Sequence, residues 1–430
     1  MRVVYSLLMP LLVPLLLLRL LWRSRQNPDY RRDILQRLAL GLPAPRVSGQ
    51  PKIWIHAVSV GETLAIAPLI ERVLRDLPDH SVLITSTTPT GRDQVARLFA
   101  NRVDWAWVPF DTSGCVDRFL THWSPSVIGL VETEIWPQII LRARRRGVPT
   151  LLLNARLSHR SARGYARVGG LSRPVIGSLA AIACQSRAHA RRFVALGAAP
   201  QSVTVAGSVK FDVPVESLRK QQQQLRQHLA ISPERPILLA ASTHRGEDGW
   251  VIDAFLQVLQ AVPNALLLLA PRHPERCHEV SALLTAARLA WRLRSQQNPV
   301  LPSDQVLLVD TLGELGAMTG LAQIAFIGGS LVAHGGHNPL EAAAFGVPTL
   351  TGPHRFNFGD IFSDLLACGG AQEVADANGL ARAWIQWLQN PESAQKAGRA
   401  AEIYLQKNKG ALDAQYALLE THIRGSASVD

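Results

Sequence analysis

From Ile53 onward, apolar runs of about five residues alternate with longer amphipathic stretches, and this alternation restricts the fold more than any other property of the chain. Ile53 to Val58, Val82 to Thr85, Val127 to Val131, Thr150 to Leu153, Ala181 to Cys184 and Val203 to Val205 read as strands, with Thr63 to Leu77 and Ile135 to Arg146 as helices among them. Strands joined by crossover helices are parallel, so the expected fold class is α/β, an open sheet covered on both faces. A polar stretch around Gln221 to Gln224 interrupts the pattern. A second series then begins with Ile237 to Ala241, Ala265 to Ala270, Gln305 to Val309 and Ile324 to Ile327. The expected organisation is an anchor at 1–22, a first α/β domain at 23–213, a linker at 214–235 and a second α/β domain at 236–400. A helical segment at 401–430 would pack back on the first domain.

The anchor is Val3 to Trp22, almost wholly apolar and interrupted by Arg19, Pro10 and Pro14; a helix of this length covers roughly 30 Å. Arg23, Arg25, Arg31, Arg32 and Arg37 follow without a small-residue cleavage site, which favours an uncleaved anchor and places the rest of the chain in the cytoplasm. Crossing the bilayer and lying in its interface both remain open at this point. Lys+Arg total 45 against 33 Asp+Glu, a formal charge of +12, which suits anionic partners such as phospholipid, phosphorylated substrates or nucleic acid. No basic stretch interleaved with aromatics appears, so a nucleic-acid binder is not expected. Cys115, Cys184, Cys277 and Cys368 are far apart and imply neither a disulfide framework nor a zinc site.

Ligands of open α/β sheets sit beyond the carboxyl ends of the strands, so the residues just after each run carry the chemistry. In the second series, Gly328 to His354 reads as a glycine-rich turn opening a helix. Asn338 is the N-cap, Pro339 lies in the first turn with Leu340, and Glu341 is at its third position. The free N–H groups of such a turn and the positive helix end favour phosphate, although Glu341 could equally do no more than close a capping box. Pro271 and Arg272 follow another run, and the Arg272 fork suits phosphate; Leu312, Gly313 and Glu314 occupy the same edge. His334 and His337 stand three apart with no further ligands at suitable spacing, so no metal is expected. In the first series, SVGE places Glu62 at the mouth of a helix, either as a base or as a neighbour of free N–H groups. TSTTPTG, ETEIWP with Glu132, NARLSHRS and GSVKFD with Lys210 follow later runs.

Taken in order, HAVSVGE, TPTG, ETEIWP, NARLSHRS, GSVKFD, STHRGE, PRHPER, GGSLVAHGGHNPLEAAA and GPHRFNF make the chain closely resemble the bacterial 3-deoxy-D-manno-octulosonic acid (Kdo) transferases of lipopolysaccharide synthesis. The resemblance implies a GT-B glycosyltransferase with two Rossmann-like domains, the donor CMP-Kdo held mainly by the second and the lipid A precursor by the first, at the inner membrane. It implies Glu62 as general base and Glu132 and Lys210 as supports of the transition state. Pro271, Arg272, Leu312, Gly313, Glu314, Asn338, Pro339, Leu340 and Glu341 would form the CMP pocket, with no metal or other cofactor. Arg245 stands where the family usually has an acidic residue, and Gln138 where it usually has asparagine. A nucleotide-sugar epimerase shares the fold and would release a free sugar instead of a lipid. A non-catalytic membrane-binding protein would not need two nucleotide-style domains.

Overall fold

The computed structural model describes residues 1–427, and side chains through Arg424. The chain divides into two compact units, Met1–Asp212 with Lys409–Asp430, and Val213–Asn408.

In the first unit the strands are β1 (Lys52–His56), β2 (Ser81–Ser86), β3 (Asp104–Trp107), β4 (Pro125–Val131), β5 (Thr150–Ala155), β6 (Ala181–Cys184) and β7 (Val203–Val205). All pair in parallel, in the order β3-β2-β1-β4-β5-β6-β7. β1 lies inside the sheet and is buried throughout, which explains its nearly unbroken apolar run Ile53 to Ile55. The expected first helix begins earlier than its apolar period suggests. Ser59 caps helix Val60–Asp76 through its hydroxyl, which accepts from the Glu62 N–H. β3 was not among the expected strands, because Asp104 opens it; that carboxylate is buried against Lys52 at 2.5 Å.

In the second unit the strands are β8 (Ile237–Thr243), β9 (Leu266–Pro271), β10 (Trp291–Leu293), β11 (Val306–Leu308), β12 (Ile324–Ile327), β13 (Thr349–Thr351) and β14 (Ala371–Glu373). They form a second parallel sheet in the order β10-β11-β9-β8-β12-β13-β14. The chain order reverses beside β1 in one sheet and beside β8 in the other, the Rossmann-like switch point, and the loops after the strands gather at one edge of each sheet.

Three expectations need correction. The segment 214–235 is not an open linker. Val215–Leu229 is a helix of the second unit, with Leu225 and Leu229 buried and Gln222 donating to the Gly320 carbonyl. Its other glutamines are exposed around an apolar stripe, which composition alone disguised. The boundary near 400 also moves. Helix Pro391–Asn408 stays in the second unit, where Gly398 lies so close to the Gly346 carbonyl that a Cβ would stand 1.8 Å from it. The return to the first unit is made by helix Ala411–Ala427, while 428–430 lie outside the described residues. Asp212 starts that helix by accepting from the Gly410 N–H at 2.8 Å and the Leu412 N–H at 2.7 Å. Tyr416, Leu419 and Ile423 then enter the core formed with Ile53, Ile55 and Ile70. The third correction concerns helix Leu340–Ala344. It begins after Pro339 and is only five residues long, with Asn338 Oδ1 accepting from the Leu340 N–H at 3.1 Å.

Helix Arg2–Arg23 belongs to the first unit and is long and apolar enough to cross a membrane.

Candidate active site

The first unit gathers an acidic cluster at the carboxyl edge of its sheet. Ser59 turns the chain after β1, and Glu62 folds back so that its Oε2 accepts from the Val58 N–H at 2.7 Å. That bond stabilises the carboxylate, yet burial outweighs it. With Glu134 and Glu132 adding repulsion, the Glu62 carboxyl is pushed up to about 7. A carboxyl group poised there is half protonated at neutral pH and can both take and return a proton.

Glu132 follows β4 directly and lies in the left-handed region, at φ 61°. A bulky residue in that region is strained by about 1–3 kcal/mol, which the surroundings must hold. Here its N–H donates to Leu153 O at 2.9 Å and its carboxylate pairs with Arg156 at 2.7 Å. Lys210, on the short turn Val209–Phe211 after β7, feels Glu132 and Arg156 electrostatically; burial lowers its pKa. The structure thus brings Glu62, Glu132 and Lys210, taken from the connections after β1, β4 and β7, into one electrostatically coupled group.

Two members of this group were not singled out in the sequence. His56 is fully buried; its Nδ1 contacts Thr85 Oγ1 at 2.9 Å, and burial drives its pKa down to about 4. Its Nε2 has no hydrogen-bond partner and stands 3.9 Å from Glu134 Oε2. Glu134 accepts from the Trp136 indole N–H at 2.8 Å, and its own pKa is raised by burial. Both residues lie within quoted motifs, HAVSVGE and ETEIWP, but nothing in their spacing marks them apart from the strand and turn that carry them.

In the second unit the expected nucleotide residues fall at the matching edge. Pro271 closes β9, and Arg272 beside it donates its N–H to Thr243 O at 3.0 Å and leaves its guanidinium exposed. Gly313 sits at φ +86°, which glycine adopts without strain, and Leu312 is 70% exposed next to it. Glu314 is held by Arg294 at 2.8 Å and by the Thr311 hydroxyl at 2.5 Å. Glu341 has its pKa raised by burial and lies close to Gly316, where a Cβ would be 3.2 Å from its Oε2. Pro339 and Leu340 pack into the protein.

The glycine-rich turn behaves differently from expectation. The N–H groups of Gly329, Ser330 and Leu331 are not available to phosphate: they donate to the carboxylate of Glu247 at 2.6, 2.9 and 2.8 Å, and the His244 N–H joins them at 3.0 Å. Glu247 is fully buried, so it serves as an internal anion that fixes the turn. With the following helix only five residues long, its macrodipole is also weak. The cationic group at this edge is instead Arg272, which stands beside a cluster of imidazoles. His244 Nε2 meets His337 Nε2 at 2.8 Å, His334 stacks on His244 with centroids 4.1 Å apart, and His273 stands edge-on at 6.1 Å. Burial first, and mutual repulsion with Arg272 and the other imidazoles, hold His244 and His337 down at about 4. His244 and His273 come from loops remote in sequence, which is why only the pair His334 and His337 was legible. Among the described residues, no group of three or more His, Cys, Asp or Glu is arranged to hold a metal ion.

Arg245 points to Glu279 in an exposed ion pair, and Arg276 instead takes the buried Asp248. Gln138 bonds the Ser6 hydroxyl of the N-terminal helix.

Residues 32–213 match the family described as 3-Deoxy-D-manno-octulosonic-acid transferase (kdotransferase). The chain is 36% identical to the 3-deoxy-D-manno-octulosonic acid transferase of Haemophilus influenzae, over 98% of this chain and 99% of that protein. It is 37% identical to that of Bordetella pertussis, over 95% and 96%. Among solved structures it is similar to a UDP-GlcNAc 2-epimerase from Neisseria meningitidis, with a TM-score of 0.57 and 16% identity, covering 85% of this chain and 99% of that one; this likeness concerns the fold alone. Full-length identity at this level, together with an acidic cluster and a nucleotide-type edge on two Rossmann-like units, decides between the sugar-transfer and epimerase readings: the chain belongs to the 3-deoxy-D-manno-octulosonic acid transferases, which are glycosyltransferases.

Proposed function

We propose that the protein transfers Kdo from CMP-Kdo to the lipid A precursor, the tetraacyl disaccharide bisphosphate, with inversion at the anomeric carbon and without a divalent metal. The observation that carries this reading is the Glu62 carboxyl held at about 7 beside Glu132 and Lys210. Glu62 takes the proton of an acceptor sugar hydroxyl as that oxygen attacks the anomeric carbon of Kdo. The bond from that carbon to the CMP phosphate breaks, and the electron pair leaves with CMP. Lys210, whose charge burial disfavours and Glu132 favours, balances negative charge on the Kdo carboxylate or the departing phosphate. Arg272 supplies a forked contact to the phosphate, Glu341 takes the ribose hydroxyls, and Pro271, Leu312, Gly313, Glu314, Asn338, Pro339 and Leu340 shape the cytidine pocket. Both substrates are anionic, which gives the net charge of +12 a purpose. The apolar helix Arg2–Arg23 holds the enzyme at the cytoplasmic face of the inner membrane, where a tetraacyl acceptor resides.

The test is direct: incubate the purified full-length protein with CMP-Kdo and the tetraacyl disaccharide bisphosphate, and weigh the lipid. A gain of one or more Kdo masses with release of CMP supports the reading. Free sugar or hydrolysed CMP-Kdo with an unchanged lipid overturns it.

A further inference from the structure

The same helix Arg2–Arg23 is fastened to the first unit at both ends. In its first turns the Tyr5 hydroxyl donates to Asp111 Oδ2 at 2.7 Å, and the Gln138 amide donates to Ser6 Oγ at 2.7 Å. The Met1 side chain lies against Gly170, where a Cβ would stand 3.0 Å from its sulfur. At the other end Ser24 is buried, and Arg23 lies over the Tyr30 ring at 4.7 Å. Asp111 is a preformed receptor. It is itself buried and already accepts from the N–H groups of Gln138 and Ile139, at 3.0 Å, at the start of helix Pro137–Arg145.

Between these ends one face of the helix is half-covered from start to finish: Tyr5, Ser6, Met9, Val13, Leu16, Leu17 and Leu20 recur at the three- and four-residue steps of a single helical face. The opposite face is an unbroken apolar stripe of Val3, Leu7, Leu11, Leu15, Leu18 and Trp22, every one more than 60% exposed. At about 100° per residue, Arg19, Arg23 and Arg2 fall roughly 90°, 130° and 170° from the centre of that stripe. The cations therefore sit on the shoulder and the domain side. A helix crossing the bilayer would hold Tyr5 and Ser6 about 25 Å from Trp22, on the far side, yet Tyr5 and Ser6 are bonded to Asp111 and Gln138 of the sheet domain into which the other end of the helix leads.

We infer that helix Arg2–Arg23 lies in the plane of the bilayer interface, its leucine stripe toward the acyl chains and its arginines at the anionic headgroups, with its N-terminus on the same side as the sheet domains. This rests on the membrane reading given above. The partner is the surface of an anionic phospholipid bilayer: the stripe supplies the apolar area and the arginines the matching charge.

The test uses inverted inner-membrane vesicles from cells making the full-length chain, treated with a membrane-impermeant maleimide. The exposed Cys368 reports the side of the sheet domains, and an added Arg2→Cys reports the N-terminus. The inference expects both cysteines to be labelled without detergent; labelling of Arg2→Cys only after detergent overturns it. Separately, Ser6→Cys with Gln138→Cys should form a disulfide in those vesicles on mild oxidation, whereas a spanning helix would keep the two thiols apart. Leu11→Glu with Leu15→Glu should lower membrane partition at least tenfold, and unchanged partition counts against the stripe. If the wild-type protein does not sediment with membranes at all, the anchor reading fails. If it sediments and the N-terminus is shielded, only the in-plane placement fails.

Discussion

Glu247 gives the sharpest test of how the second unit is built. Its carboxylate is fully buried and accepts four backbone N–H bonds, from His244, Gly329, Ser330 and Leu331. Glu247→Ala leaves four donors without their acceptor. An unsatisfied buried group costs about 1–3 kcal/mol, and bonds to a charge lie at the upper end. The simple sum reaches about 4–12 kcal/mol, but an opened loop admits water and recovers part of it, so the lower end, about 4 kcal/mol, is the working figure. That corresponds to roughly a thousandfold loss of protection. Glu247→Gln keeps one oxygen able to accept two of the four bonds and turns an NH2 group toward the others, so its effect should be about half as large in free energy. Hydrogen exchange of the full-length protein, followed by mass on peptides spanning residues 324–334, reads this directly. The amides of Gly329, Ser330 and Leu331 should lose protection in both variants, more in Glu247→Ala, while those of β1 in the first unit stay as they are. CMP binding should weaken in parallel, because the turn leads into Asn338 and Glu341. Unchanged exchange at these three amides in Glu247→Ala would refute the reasoning.

The remaining predictions concern charge and the chain's return. With Glu62 held at about 7, kcat/KM should rise about tenfold per pH unit toward pH 7 and level off above it. An apparent pKa near the ordinary 4.5 in the rate profile would contradict the site. The same raised value means that ionising Glu62 opposes folding, so its effect on stability is absent below pH 4.5 and grows as pH rises to about 7. Glu62→Gln should therefore unfold at a higher temperature than wild type at pH 8 and no higher at pH 4. His244 and His337, held near 4 against an ordinary 6.5, should show imidazole NMR signals that do not titrate between pH 7 and 5, and should contribute a loss of stability as pH falls from 6.5 toward 4. Asp212→Ala removes the acceptor of the Gly410 and Leu412 N–H groups and should cost about 2 kcal/mol. Faster exchange along helix Ala411–Ala427, with the second unit unaffected, is the expected sign.

Much of the fold was legible because buried parallel strands are apolar on both faces: β1, β4, β5, β8, β9 and β12 all announce themselves as short runs. The edge strands β10 and β14, and β13 beside β14, are three residues each, too short to show a period. Helix Val215–Leu229 was obscured by its glutamines, although Leu218, Leu225 and Leu229 fall on one helical face. Within the site, Glu132 and Arg272 could be found because each directly follows a strand, and Glu62 because it lies in the first turn of the helix after β1. The function of Glu247 could not, since its four bonds include three to a turn more than eighty residues away. His56 reads as one more strand residue until its burial and its orphaned Nε2 are seen.

The central claim is that Glu62 acts on the acceptor while the nucleotide is held by other groups. Glu62→Gln should be assayed twice: for Kdo gained by the lipid, and for CMP binding by calorimetry. A loss of transfer of about 10²- to 10⁴-fold with CMP affinity unchanged is the predicted outcome. Near-normal transfer would contradict the account, and so would a matching loss of CMP binding.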